Sequence, residues 1–149
     1  MIKLNKIISV LMLGFLSSCA TAPLATKQMD LEAKAFSPPQ GKANVYVLRS
    51  AVAGSAIAFQ VTLDGVRMGT MTSGRYLMKS VEPGTHTAEV FTNESADATQ
   101  FQAVAGEVYF FVTEPKMGWA SARAALKQVD TEKGKAKVRG LTRSLSIQY

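Results

Sequence analysis

The 149-residue chain has one cysteine, one histidine and one tryptophan, and no apolar run of membrane-spanning length. Each scarcity removes a class of structure or chemistry. Cys19 has no second cysteine to pair with inside the chain, so an intramolecular disulfide is excluded. A zinc site of His and Cys ligands needs about four donors and could draw only on Cys19 and His86. No metal or other cofactor is expected. The most apolar stretch, residues 7–16, has about half of the roughly 20 residues that a spanning helix requires. Nucleic-acid binding also lacks a basis. Residues 19–126 carry nine Lys and Arg against nine Asp and Glu, whereas a basic face on the folded domain is the usual electrostatic footprint of such binding.

The N-terminus has the pattern of an export signal. Lys3 and Lys6 precede the apolar residues 7–16, and small polar residues follow; these are the n-region, h-region and cleavage region of a secretory leader. The run closes in Leu16-Ser17-Ser18-Cys19, which resembles the lipobox recognised by the lipoprotein signal peptidase. A chance arrangement before an ordinary cleavage site is the competing reading. It leaves a lone free thiol in an oxidising compartment, which acylation explains better. The resemblance implies cleavage between Ser18 and Cys19 and lipid on the Cys19 thiol and amine. Two acyl chains give stable membrane anchoring. Ala20 follows, where Asp commonly retains such proteins at the inner membrane, so the periplasmic face of the outer membrane is favoured.

Cleavage would leave 131 residues, a length that suits one domain. Residues 19–35 are poor in large apolar side chains and read as the lipidated end and a flexible tether of roughly 20 Å. Residues 36–130 consist of short β-branched and aromatic runs separated by turn signals, the pattern of an all-β antiparallel sandwich of seven or eight strands. Residues 44–49 are apolar on both faces and read as a central strand. Phe59, Val61 and Leu63 alternate with polar neighbours and should face the core. Asp64-Gly65 supplies the positive-φ pair of a hairpin turn into residues 66–71. Further strands are expected at 75–81, 85–91, 99–104 and 108–113. Residues 120–129 admit helix or strand, and strand is preferred. Residues 131–149 form a basic C-terminal segment that opens with a short solvated helix; the excess positive charge of the mature chain lies in residues 127–149, with six Lys and Arg against two Asp and Glu.

Taken in order, the segments Gly41-Lys42-Ala43-Asn44-Val45-Tyr46-Val47-Leu48-Arg49, Leu63-Asp64-Gly65-Val66-Arg67-Met68-Gly69, Gly74-Arg75-Tyr76, Val81-Glu82-Pro83-Gly84-Thr85-His86 and Ala105-Gly106-Glu107-Val108-Tyr109 resemble a family of small bacterial lipoproteins whose shared domain is one of unknown function. The Asp-Gly hairpin followed by Pro-Gly-x-His is also similar to PEGA-type β-sandwich modules. The resemblance spans about residues 36–130 and implies architecture; it brings no ligand or activity with it.

Few residues are candidates for chemistry. His86 lacks a Gly-x-Ser-x-Gly elbow that would supply a nucleophile, and a structural hydrogen bond near the Pro-Gly turn is the preferred reading. Asp64 is accounted for by its turn. Tyr76, Tyr109 and Trp119 could form a flat platform for a sugar or peptide, with ordinary sandwich core as the competing reading. Lys133, Lys135 and Lys137 could meet anionic lipid or glycan, against a solvated tail. Tyr76, Trp119, Lys133, Lys135 and Lys137 are therefore the candidate partner contacts, and Cys19 the membrane contact. The expected function is a non-enzymatic binding or structural module of the cell envelope that meets an envelope protein or glycan. The alternatives are an enzyme acting on cell-wall or glycan substrates and an accessory subunit of an envelope complex.

Overall fold

The computed structural model of the protein describes residues 23–51, 57–117 and 122–145. Its elements in chain order are α1 (Lys27–Lys34), β1 (Ala43–Arg49), β2 (Phe59–Leu63), β3 (Val66–Met71), β4 (Arg75–Val81), β5 (Gly84–Phe91), β6 (Ala96–Ala103), β7 (Val108–Met117), β8 (Ala122–Val129), α2 (Thr131–Arg139) and β9 (Thr142–Arg143). The strands form two sheets, one of order β8-β7-β1-β4-β9 and one of order β3-β2-β5-β6. The chain alternates between them, so the turns after β3, β4 and β6 cross from sheet to sheet. The fold is the expected all-β sandwich with a helix toward its C-terminal end.

The five-stranded sheet is mixed where a wholly antiparallel one was expected. β1 is antiparallel to β4 but parallel to β7, and β9 is parallel to β4. Period-two alternation shows which face a residue lies on; it carries no information about which distant strand will be the neighbour. The β2–β3 hairpin follows the sequence reading closely. Leu63 pairs with Val66 across a two-residue turn, and Asp64 and Gly65 have φ of 54° and 74°, the double positive φ of a type I′ turn that matches the strand twist.

Every residue of β1 is buried, and the layering explains why. Ala43, Val45 and Val47 face the four-stranded sheet and pack with Phe59, Val61, Leu63, Leu77 and Phe111. Tyr46 and Leu48 point the other way and pack with Tyr76, Phe110, Val138 and Leu141 beneath the helices. The protein therefore has three layers: helices, five-stranded sheet, four-stranded sheet. A strand covered on both sides has no polar face to show, hence the unbroken apolar run. At the far edge, Ser95 and Asp97 of the β6 side accept hydrogen bonds from the backbone N–H groups of Ala124 and Leu126 at 3.1 and 2.8 Å. These bonds satisfy donors that an edge strand would otherwise leave open to another chain.

The chain on either side of the strands of the sandwich folds as well. Residues 27–34, expected within a flexible tether, form α1, capped by Thr26, whose Oγ1 accepts from Met29 N at 3.2 Å. The C-terminal segment, whose packing the sequence leaves open, docks on the sandwich through residues 131–145. α2 is capped by Asp130, buries Gly134 and Val138 on one stripe, and is followed by β9. Gly134 is required by contact: a Cβ there would lie 2.1 Å from Cγ of Phe110, and Phe110 is itself stacked on Tyr46 with ring centroids 4.9 Å apart.

Helix propensity alone would make Gly134→Ala stabilising by about 1 kcal/mol. The clash with Phe110 is expected to reverse that sign and lower stability by about 1–3 kcal/mol net, in the range of core overpacking. Urea unfolding followed by circular dichroism measures the difference. A more stable variant would show that α2 does not rest on Phe110.

Candidate functional site

Three groups of polar side chains stand out against the apolar layers. The first joins the helices to the sheet. α1 offers little apolar surface, and Ala33 is its one buried residue. It is held instead through Asp30, whose carboxylate accepts from Tyr76 Oη at 2.8 Å, Lys34 Nζ at 2.7 Å and the backbone N–H of Arg143 at 3.0 Å. Tyr46 Oη donates to Ala33 O at 2.8 Å. Lys34 also donates to Leu141 O and Arg143 to Met29 O, and the chain before α1 meets the chain just after β9 through the Leu24–Ser144 bridge. Burial pushes the Tyr46 hydroxyl up to about 12 and raises that of Tyr76 as well, so both remain protonated donors. Burial also opposes ionisation of Asp30, but the hydrogen bonds from Lys34, Tyr76 and Arg143 outweigh it and hold the carboxyl below 3.8.

The second group surrounds the single histidine. Nδ1 of His86 lies 2.6 Å from Asp64 Oδ2, and Nε2 lies 2.8 Å from the carbonyl oxygen of Glu82. An ionised carboxylate and a carbonyl can only accept, so both ring nitrogens must donate to satisfy them, which is the imidazolium form. Burial lowers the affinity of His86 for its proton, whereas the bonds to Asp64 and Glu82 raise it; the sum is raised above 6.5. Asp64 also accepts from Thr87 N at 2.8 Å. The pair ties the hairpin tip to β5 and leaves the imidazole no free nitrogen to serve as a base. This is the structural hydrogen bond read from the sequence.

The third group is Arg49, the last residue of β1. It shares the inward face of Val45 and Val47, is only 1% exposed, and lies over the Phe59 ring with its Cζ 4.4 Å from the centroid. Its Nη1 donates to Ile57 O, while Nε and Nη2 are buried with no hydrogen-bond partner among the described residues. Burial lowers its pKa. Arg49 also lines a cavity of about 270 Å³ together with Ser50, Val112, Thr113, Glu114 and Pro115. The sequence reading passed over Arg49. Its position two residues beyond Val47 in an alternating strand was the available signal, because the parity places it in the core.

Of the candidate contacts, Tyr76 is fully buried with its hydroxyl on Asp30; it holds α1 and presents no platform. Tyr109 packs against Phe101 with centroids 5.1 Å apart and accepts from Val104 N. Lys133 and Lys137 are exposed on α2 and Lys135 half-buried, with Lys133 paired to Asp130 and Lys135 to Glu132. Ser18, Cys19 and Trp119 lie outside the described residues. Among the described residues no three His, Cys, Asp or Glu side chains gather into a metal-binding group, and no helix is long and apolar enough to cross a membrane.

Residues 39–125 match a family model described as a protein of unknown function, DUF2846. The chain belongs to the DUF2846 family. A relative from Haemophilus influenzae (strain ATCC 51907 / DSM 11121 / KW20 / Rd), described as an uncharacterized protein, is 29% identical over 132 residues, covering 88% of this chain and 79% of the relative. The DUF2846 match runs from just before β1 into β8. It takes in Arg49, Asp64 and His86 and leaves α1, α2 and β9 outside.

The two polar clusters respond to pH in opposite directions. A carboxyl held below its ordinary value stabilises the docked helix at pH above 3.8, and that contribution vanishes as pH falls through the lower folded value. Protection of the α1 amides, relative to their intrinsic exchange rates, is therefore expected to be lost ahead of that of the sandwich in acid, and Asp30→Asn to lower it already at pH 7. His86 is the reverse case. Its contribution is complete below 6.5 and is lost as pH rises through the raised folded value. Stability measured by urea unfolding should decline above pH 6.5, and His86→Gln should flatten that decline; an unchanged profile would refute the ion pair.

Proposed function

We propose that the protein is a lipid-anchored, non-enzymatic binding or structural module of the cell envelope, held at the periplasmic face of the outer membrane through Cys19 and contacting an envelope protein or glycan. The observation behind this reading is the docking of the chain from Pro23 onward. Ala25 N donates to Arg143 O and Leu145 N to Pro23 O, at 3.0 and 2.8 Å. Only residues 20–22 then separate Cys19 from docked backbone. Four extended residue steps reach about 14 Å, less than the roughly 20 Å expected of a free tether. A lipid on Cys19 would hold the domain close against the headgroups.

The helical layer beside that attachment suits such a neighbour. Leu24 and Leu31 are about half exposed, and Lys133, Lys137 and Arg139 are exposed on α2. Each cation near an anionic surface contributes around 1 kcal/mol. The non-enzymatic part of the proposal is supported by His86, whose two ring nitrogens are committed to Asp64 and Glu82.

The test is Cys19→Ser, with membrane fractionation and labelled palmitate as readouts. The wild-type protein is expected to carry label and to sediment with outer membranes, and the variant to lose both. Unchanged labelling and retention in the variant would refute the anchor.

A further inference from the structure

We infer that the Nε and Nη2 edge of Arg49 is a binding site for a carboxylate, entered from the cavity that Arg49 lines where β1 ends beside β7. The inference is independent of where the protein resides. It starts from an imbalance. A buried charge is tolerated when its donors are satisfied and a counter-charge is near, and Arg49 has one backbone carbonyl, one aromatic face and no carboxylate among its described hydrogen-bond and ion-pair partners. The two open donors call for an acceptor of a particular shape.

That shape comes from the guanidinium itself. Nη2 is the terminal nitrogen on the Nε–H side, so the Nε–H and one Nη2–H point the same way at the spacing of two carboxylate oxygens, the bidentate fork of arginine recognition. Those are the two nitrogens without partners; the third, Nη1, is occupied by Ile57 O. The neighbouring strand sharpens the demand for an anion. Arg49 is directly opposite Arg75 in the antiparallel β1–β4 pair, which puts two cations on one face of the sheet, an arrangement that is destabilising without a negative partner.

The cavity selects among anions. Its wall includes Ser50 and Thr113, and the Thr113 hydroxyl is oriented by donating to Leu48 O at 3.3 Å. Glu114 also lines it, and that negative charge disfavours a dianionic phosphate more than a singly charged, planar carboxylate. About 270 Å³ accommodates a small acid or the terminal residue of a peptide. Both nitrogens are closed off from solvent, so entry requires the guanidinium to turn toward the cavity, and the two charge-assisted bonds gained at Nε and Nη2 offset any weakening of the Nη1 bond to Ile57 O.

The experiment follows the Arg49 Nε–H resonance of the 15N-labelled full chain in detergent micelles, assigned by its loss in Arg49→Lys. Sodium acetate, N-acetyl-alanyl-alanine, the amide of that peptide and inorganic phosphate are the probes. Acetate or the peptide acid is expected to move the resonance downfield to saturation, and the peptide amide to leave it in place. Tighter saturation by the peptide acid assigns a chain-terminal carboxylate; saturation by acetate at least as tight assigns a free small acid. No saturable shift with either carboxylate, or a shift with phosphate at least as strong, would overturn the inference. Arg49→Met supplies a second reading by thermal unfolding. Without ligand it should melt higher than the wild type, having lost an unpaired buried charge, and acetate should raise the wild-type melting temperature and leave the variant unmoved. A wild type that acetate does not stabilise would also count against the site.

Discussion

The carboxylate of Asp30 accepts hydrogen bonds from α1 itself, from β4 and from the strand that follows α2, bridging residues up to 113 positions apart. Without it the first helix keeps one buried alanine and the bonds that Tyr46, Lys34 and Arg143 make with backbone carbonyls. With α1 in place, Tyr46 and Tyr76 have acceptors for their buried hydroxyls, and the aromatic cluster of Phe36, Tyr46 and Phe110 is closed over. The outer face of the five-stranded sheet can therefore be apolar without being exposed. A charge at one point licenses hydrophobic burial across a whole layer, because the buried donors around it have no water to fall back on.

This also shows what the sequence could reveal and what it could not. The inner sandwich was legible: the parity of Phe59, Val61 and Leu63, the Asp64-Gly65 turn and the two-sided burial of residues 44–49 all express local rules that the fold obeys. Of the 120–129 segment, residues 122–129 form a strand because β7 supplies a partner along that whole length. Of the helical layer the sequence revealed α2 as a short charged helix, but α1 and the docking of both helices were illegible for a physical reason. Its contacts are polar and long-range, so the helices do not carry the broad apolar stripe that marks a core-facing helix. Gly134 even reads as a helix weakener, and only the position of Phe110 explains it. Thr26 ahead of Met29 was the one local sign that a helix begins there.

Arg49 and His86 invert the expectations their residue types carry. A lone histidine invites a catalytic reading, yet here it is an imidazolium clamp between a hairpin tip and a strand, with both nitrogens spent. An arginine closing an apolar strand invites a surface reading, yet here it is interior and undersatisfied. Satisfied polar groups hold a fold together, and unsatisfied ones point outside it. In this molecule the distinction separates Asp64 and His86, which complete one another, from Arg49, two of whose buried donors have no hydrogen-bond partner among the described residues.

Residues 23–25 are bonded to residues 143–145, so the first described stretch of chain finds its partner in the last. A chain that stops before residue 142 cannot close the helical layer: β4 lacks β9, and Asp30 lacks the amide of Arg143. The seam joins stretches of chain about 120 positions apart, so the loop that it closes holds β1 through β8, and a break in any connection inside that loop still leaves its two ends bound to each other.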